Sequence, residues 1–163
     1  YSFKCIIIYF SHDLYRISFI NTRIIIPTKY MVTPTGAGAF DVAPNGSLTL
    51  SCPNFANRKL QGELFSLTQN GTVKHLATVP SLSLKTKANP MGIAYGPDGG
   101  LYIADSRGAK HGRILKMNFR GDTLISTEVI ASGFNPNGLR FHNGYLYLIP
   151  NGIKFHNKCK MNF

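Results

Sequence analysis

At 163 residues the chain is long enough for a domain with a substantial core, and a composition 44% hydrophobic and 15% charged suits a globular protein, so disorder is not the default reading. The formal charge of +11 raises nucleic acid and anionic membranes as partners. However, +6 of it belongs to residues 1–31 and 151–163, and the other +5 is scattered without a basic stripe, so neither partner is expected. Cys5, Cys52 and Cys159 are odd in number and far apart, which supports neither a disulfide framework nor a zinc site.

Residues 1–31, "YSFKCIIIYFSHDLYRISFINTRIIIPTKYM", contain no glycine and are rich in Ile, Tyr, Phe, Lys and Asn. The apolar run Cys5–Phe10 is far shorter than the ~18 residues of a spanning helix, and no small-residue cleavage site follows it, so neither a membrane segment nor a signal peptide is expected. Residues 151–163, "NGIKFHNKCKMNF", share the same bias. Both ends read as atypical extensions, either flanking sequence translated with the domain, with Met31 as its start, or edge strands.

The middle, residues 32–150, is punctuated by Asn45-Gly46, Asn70-Gly71, Asp98-Gly99, Asn137-Gly138 and Asn143-Gly144, most of them between runs of β-branched, aromatic and leucine residues. Asn, Asp and Gly tolerate positive φ, which is hairpin chemistry. Strands are expected near 39–43, 47–52, 62–67, 73–79, 92–96, 100–104, 113–118, 124–131, 138–142 and 145–149. Alternation assigns Leu48, Leu50, Leu64, Ile93, Leu101, Ile103, Ile114, Leu139, Leu146 and Leu148 to the core.

The hairpins repeat. "FDVAPNGSLTLSC" aligns with "IAYGPDGGLYIAD" at an offset of 53 residues, and "GELFSLTQNG" with "GRILKMNFRG" at an offset of 50. A third copy, "PNGLRFHNGYLYLIP", follows "PMGIAYGPDGGLYIAD" after one deletion, with Pro150 where Asp105 stands. Four short strands recurring every fifty residues or so predict an all-β, incomplete β-propeller. The chain carries about two and a half of six four-stranded blades, since a closed ring needs roughly 300 residues.

The stretch from "ANPMGIAYGPDGGLYIADS" to "FNPNGLRFHNGYLYL" resembles the regucalcin (senescence marker protein), gluconolactonase and luciferin-regenerating enzyme family, over residues 38–148. The resemblance implies a lactone hydrolase with one axial divalent cation, Ca²⁺ or Zn²⁺, held by a Glu, an Asn and an Asp from different blades. It places Asn137 at the Asn position, while Gly38 and Met91 stand at the equivalent positions of the other copies and offer no side-chain oxygen. Such a cation takes oxygen ligands, polarises a lactone carbonyl and acidifies a bound water. "PNGIKFHN" from Pro150 nearly repeats "PNGLRFHN" from Pro136, which makes Asn151 a rival to Asn137.

With carboxylate ligands missing, the chain as given is expected to be inactive as a lactonase and to self-associate through open sheet edges. A non-catalytic propeller of the NHL-repeat or strictosidine-synthase-like kind, used as a binding scaffold, is the alternative. Asp105 reads as a strand-closing structural residue. Asn45-Gly46-Ser47, Asn70-Gly71-Thr72 and Arg120-Gly121-Asp122 read as turns, and neither a dinucleotide loop nor a nucleophile elbow occurs.

Overall fold

The computed structural model describes residues 36–54, 57–68 and 70–151, together with the backbone of the terminal strands named below. Strands β1 (Lys4–Phe10), β2 (Asp13–Ile20) and β3 (Arg23–Val32) form a three-stranded antiparallel sheet in that order. β4 (Ala39–Val42), β5 (Leu48–Cys52), β6 (Glu63–Leu67) and β7 (Val73–Thr78) follow as a four-stranded meander. A second meander contains β8 (Pro90–Tyr95), β9 (Leu101–Asp105), β10 (Arg113–Arg120) and β11 (Thr123–Ser132). β12 (Pro136–His142), β13 (Tyr145–Pro150) and β14 (Cys159–Asn162) make a fourth sheet, of three strands. The ten strands expected between 39 and 149 all form, with ends displaced by one or two residues.

Turn chemistry sets this pattern. Between β12 and β13 the two-residue turn Asn143-Gly144 has φ values of 47° and 74°, the doubly positive geometry that lets strands with right-handed twist fold back on each other. The longer turns at Asn45-Gly46 and Asp98-Gly99 have positive φ at the glycine alone, 81° and 78°, and are held by their side chains, with Asp98 Oδ1 accepting from Gly100 N at 3.0 Å and Asn45 Oδ1 from Ser47 N at 3.0 Å.

The sheets stack face to face. Leu64, Ala77 and Val79 of the first meander pack with Ile93, Leu101, Ile103, Leu115 and Met117 of the second. On the other face of the second meander, Tyr102, Ala104 and Ile114 pack with Leu146 and with the partly buried Leu139 and Phe141. Eight of the ten expected core residues are buried, and Leu48 and Leu139 are half-buried. Full burial of each leucine contributes about 2 kcal/mol.

One expectation is corrected. A half-buried alternation does not describe β9, whose five residues are all buried. Leu101 and Ile103 face one neighbouring sheet while Tyr102 and Ala104 face the other, because an interior blade has no solvent face. The inner strands β4, β8 and β12 lie side by side, and the described sheets form an open arc, an incomplete propeller.

Candidate functional site

Asn137 sits in an irregularity that its own sequence creates. In β12 the pairing with β13 shifts between Pro136 and Gly138, and in β8 the pairing with β9 shifts between Pro90 and Gly92. Pro lacks an N–H for the ladder, so the residue between Pro and Gly bulges out, and a bulge re-aims one side chain. Met91 and Asn137 are therefore equivalent positions. Gly38, just before the paired Ala39, is the third, with its N–H donated to Ser51 O at 2.7 Å.

All three line a cleft of about 210 Å³ along the inner strands, together with Asp41 and Arg140. Gly92 allows the strands to meet there, because its Cα packs against the Asn137 carbonyl. Asp41 is committed elsewhere. Its Oδ2 accepts from Tyr95 N at 2.8 Å and its Oδ1 from Val42 N at 2.9 Å, tying β4 to β8.

Asn151 proves to be a neighbour of Asn137. Asn137 Nδ2 donates to Asn151 Oδ1 at 2.9 Å, Asn151 Nδ2 donates to Ser106 Oγ at 2.9 Å, and Ser106 Oγ donates to Asn135 Oδ1 at 2.9 Å. This chain of amides and one hydroxyl spends the Asn137 N–H on Asn151. Residues 152–158, which complete the repeated "PNGIKFHN", lie outside the described residues.

Behind this chain lies a buried polar frame. Asn89 and Asn135 each precede the proline that opens an inner strand, and each clips its blade to the one before. Asn89 Oδ1 accepts from Asn54 N at 3.1 Å, and Asn135 Oδ1 accepts from Gly108 N at 3.0 Å. Within each blade a backbone bond closes the same end of the inner hairpin, with Ser106 N donating to Asn89 O at 2.9 Å and Asn151 N to Asn135 O at 2.8 Å. These clips were missed in the sequence, although Asn-Pro-x-Gly occurs twice, at 89–92 and 135–138, and was the signal that could have found them.

Asp105, fully buried, accepts from Asn89 N at 2.7 Å and pairs with Arg113 Nε at 2.8 Å. Its role is structural, and it joins the segment before β8 to β10. Arg107 donates to Asn54 Oδ1 and to Ala88 O, while its Nε is buried without a partner. Burial lowers its pKa, opposed by the nearby Asp105 and aided by Arg58, and it remains a cation at neutral pH.

These residues do not fit a divalent cation. Ca²⁺ takes six or more oxygens and Zn²⁺ about four His, Cys or carboxylate ligands, whereas the side chains of this cleft offer the Asn137 amide, the Asp41 carboxylate already bonded to two N–H groups, and the positive charge of Arg140. Among the described residues no group of three His, Cys, Asp or Glu side chains could hold a metal ion. No helix among the described residues is long and apolar enough to cross a membrane.

No family model matches the chain, and no curated protein matches it. Solved structures do. A provisionally assigned gluconolactonase is similar at 18% identity over 83% of this chain and 53% of that one, with a TM-score of 0.53. A catalytically inactive virginiamycin B lyase from Staphylococcus aureus, solved with quinupristin, matches at 13% identity over 99% of this chain and 60% of its own, with a TM-score of 0.53. A PQQ-bound aldose sugar dehydrogenase from Streptomyces coelicolor matches at 11% identity over 85% and 52%, again with a TM-score of 0.53.

The class this defines is an incomplete β-propeller. At these identities the neighbours establish the fold alone. This chain spans between 52% and 60% of their lengths.

Proposed function

We propose that the chain is an arc of a lactone-hydrolase-like propeller of the gluconolactonase class, contributing Asn137 to the axial site and lacking activity by itself. The observation that supports this reading is the bulge that brings Asn137 to the cleft lined by the inner strands, at the same place as Met91 and Gly38. The partner is a small-molecule lactone, and neither nucleic acid nor a membrane surface enters the reading. A Ca²⁺ or Zn²⁺ ion belongs to it only if carboxylates come from blades outside this arc.

The second reading, a propeller used as a binding scaffold, is supported by the use of Asp41, a carboxylate lining this cleft, to hold the N–H groups of Tyr95 and Val42. Calorimetric titration separates them. The chain as it stands should bind neither Ca²⁺ nor Zn²⁺ saturably and should not hydrolyse an aldonolactone. Met91→Asp should gain millimolar Ca²⁺ binding that is lost in Met91→Asp combined with Asn137→Ala. Failure of Met91→Asp to gain any binding would leave the scaffold reading in place.

A further inference from the structure

At the far end of the strands from Asn137, the first and second meanders enclose a different cleft of about 150 Å³. Its floor is made of hydroxyls where the rest of the interface is aliphatic. Ser47, Thr49 and Ser66 are all buried, at 8%, 1% and 6% exposure, and Tyr95 reaches across from β8. Leu76 and Phe119 form the apolar walls.

The next gap in the arc shows what such a place looks like when it is filled. Thr49 pairs with Ser66 across β5 and β6 as Tyr102 pairs with Lys116 across β9 and β10. Tyr95 and Phe141 correspond in the same way, each three residues after the glycine that follows the bulge. In the second gap the Tyr102 and Phe141 rings meet edge to face at 4.8 Å, with Lys116 Nζ 5.8 Å from the Tyr102 centroid. In the first gap, a threonine and a serine replace the tyrosine and the lysine, and the missing side-chain volume is the cleft.

The hydroxyls keep hydrogen-bonding capacity to spare. Ser66 Oγ donates to Ser47 Oγ at 3.3 Å, and Ser47 Oγ donates to Asn45 Oδ1 at 2.7 Å, leaving acceptor lone pairs on both serines. Thr49 Oγ1 and Tyr95 O–H share one bond of 2.7 Å, so whichever of them accepts keeps its own hydrogen for a ligand. Burial raises the Tyr95 pKa, against the hydrogen bond to Thr49 and with the help of Asp41, so its phenol stays protonated at neutral pH. The one charged lining residue, Asp122, lies 3.4 Å from Lys74 Nζ at the surface.

We propose that this inter-blade cleft binds a small neutral polyol. Its groups both donate and accept, which suits a ligand whose own hydroxyls do the same, and Phe119 and Leu76 offer apolar contact for a carbon backbone. The volume matches about five waters at ~30 Å³ each, the room needed by a chain of three to five hydroxylated carbons. The site is separate from the axial cleft and does not depend on lactonase chemistry.

Saturation-transfer NMR on the whole chain tests this, with erythritol as probe and 1-butanol as apolar control. Erythritol should bind saturably in the millimolar range and butanol should not. Thr49→Val with Ser66→Ala should weaken erythritol about fivefold or more, the loss of one or two neutral hydrogen bonds, while a cooperative thermal transition is retained. Ser66→Ala alone, the milder change, should weaken it in the same direction if the double variant fails to fold. Absence of erythritol binding, stronger binding of butanol, or erythritol binding unchanged in the folded variants would overturn the proposal.

Discussion

Gly92 packs directly against the main chain of Asn137, so that a methyl group on its Cα would overlap the Asn137 carbonyl oxygen and stand 3.1 Å from Gly138 Cα. The backbone of Gly92 is outside the left-handed region, so the demand for glycine comes from the contact alone. Gly92→Ala should cost about 2–3 kcal/mol by forcing β8 and β12 apart. Gly138→Ala is the control. Its added carbon meets Ile149 Cβ at 3.7 Å, an ordinary contact, and should cost far less in the same chemical denaturation series.

Asp105 and Arg113 form an ion pair at 0% and 8% side-chain exposure. Removing only the carboxylate strands a buried guanidinium and the Asn89 N–H, so Asp105→Ala should destabilise by about 3–5 kcal/mol. Asp105→Leu with Arg113→Met should lose less than that, because no charge remains buried. Urea midpoints of the two variants decide it, and a double variant as unstable as the single would show that the pair itself, and not the stranded charge, sets the cost.

Asp98 carries the clearest pH dependence. Burial by itself would raise its pKa, but hydrogen bonds from Lys116 and Gly100 N, the Lys116 charge and the Tyr102 hydroxyl outweigh it and hold the carboxyl below its usual 3.8. The folded value lies below the unfolded one, so the stabilisation is complete above pH 3.8 and is lost as pH falls through the folded value. Asp98 is exposed and solvent screens the pair, so Asp98→Asn should lower the thermal midpoint only slightly at neutral pH. Thermal melts of the variant and the parent protein should draw together as pH falls below 3.8 and through the folded value.

The open arc leaves apolar surface where a further blade would stack. Ile149, 69% exposed on β13, is part of it. Sedimentation velocity should report a mass that rises with concentration, and Ile149→Lys should reduce that rise without shifting the thermal midpoint by more than a degree or so.

The strands of the two meanders and of β12 and β13 were legible in the sequence because each is bounded by a residue pair that can take positive φ. Local chemistry such as Asn143-Gly144 needs no partner to be recognised. The repeat was legible for the same reason, and with it the propeller and the position of Asn137. Three things were not. The burial of β9 on both faces depends on having a sheet on either side. The Asn89 and Asn135 clips join residues of successive blades, such as Asn135 and Gly108, 27 positions apart.

The contrast between Thr49 beside Tyr95 and Tyr102 beside Phe141 also came only with the fold. In the sequence these are small variations inside one repeat, and only stacking decides that one pair fills its gap while the other leaves a cleft. Backbone preference is a property of neighbouring residues and survives in a one-dimensional reading, whereas packing volume belongs to side chains from different repeats. The sequence by itself therefore determined the strands, the turns and the repeating blade. Only the tertiary structure decided which polar groups meet, which are consumed in holding blades together, and where space is left for a ligand.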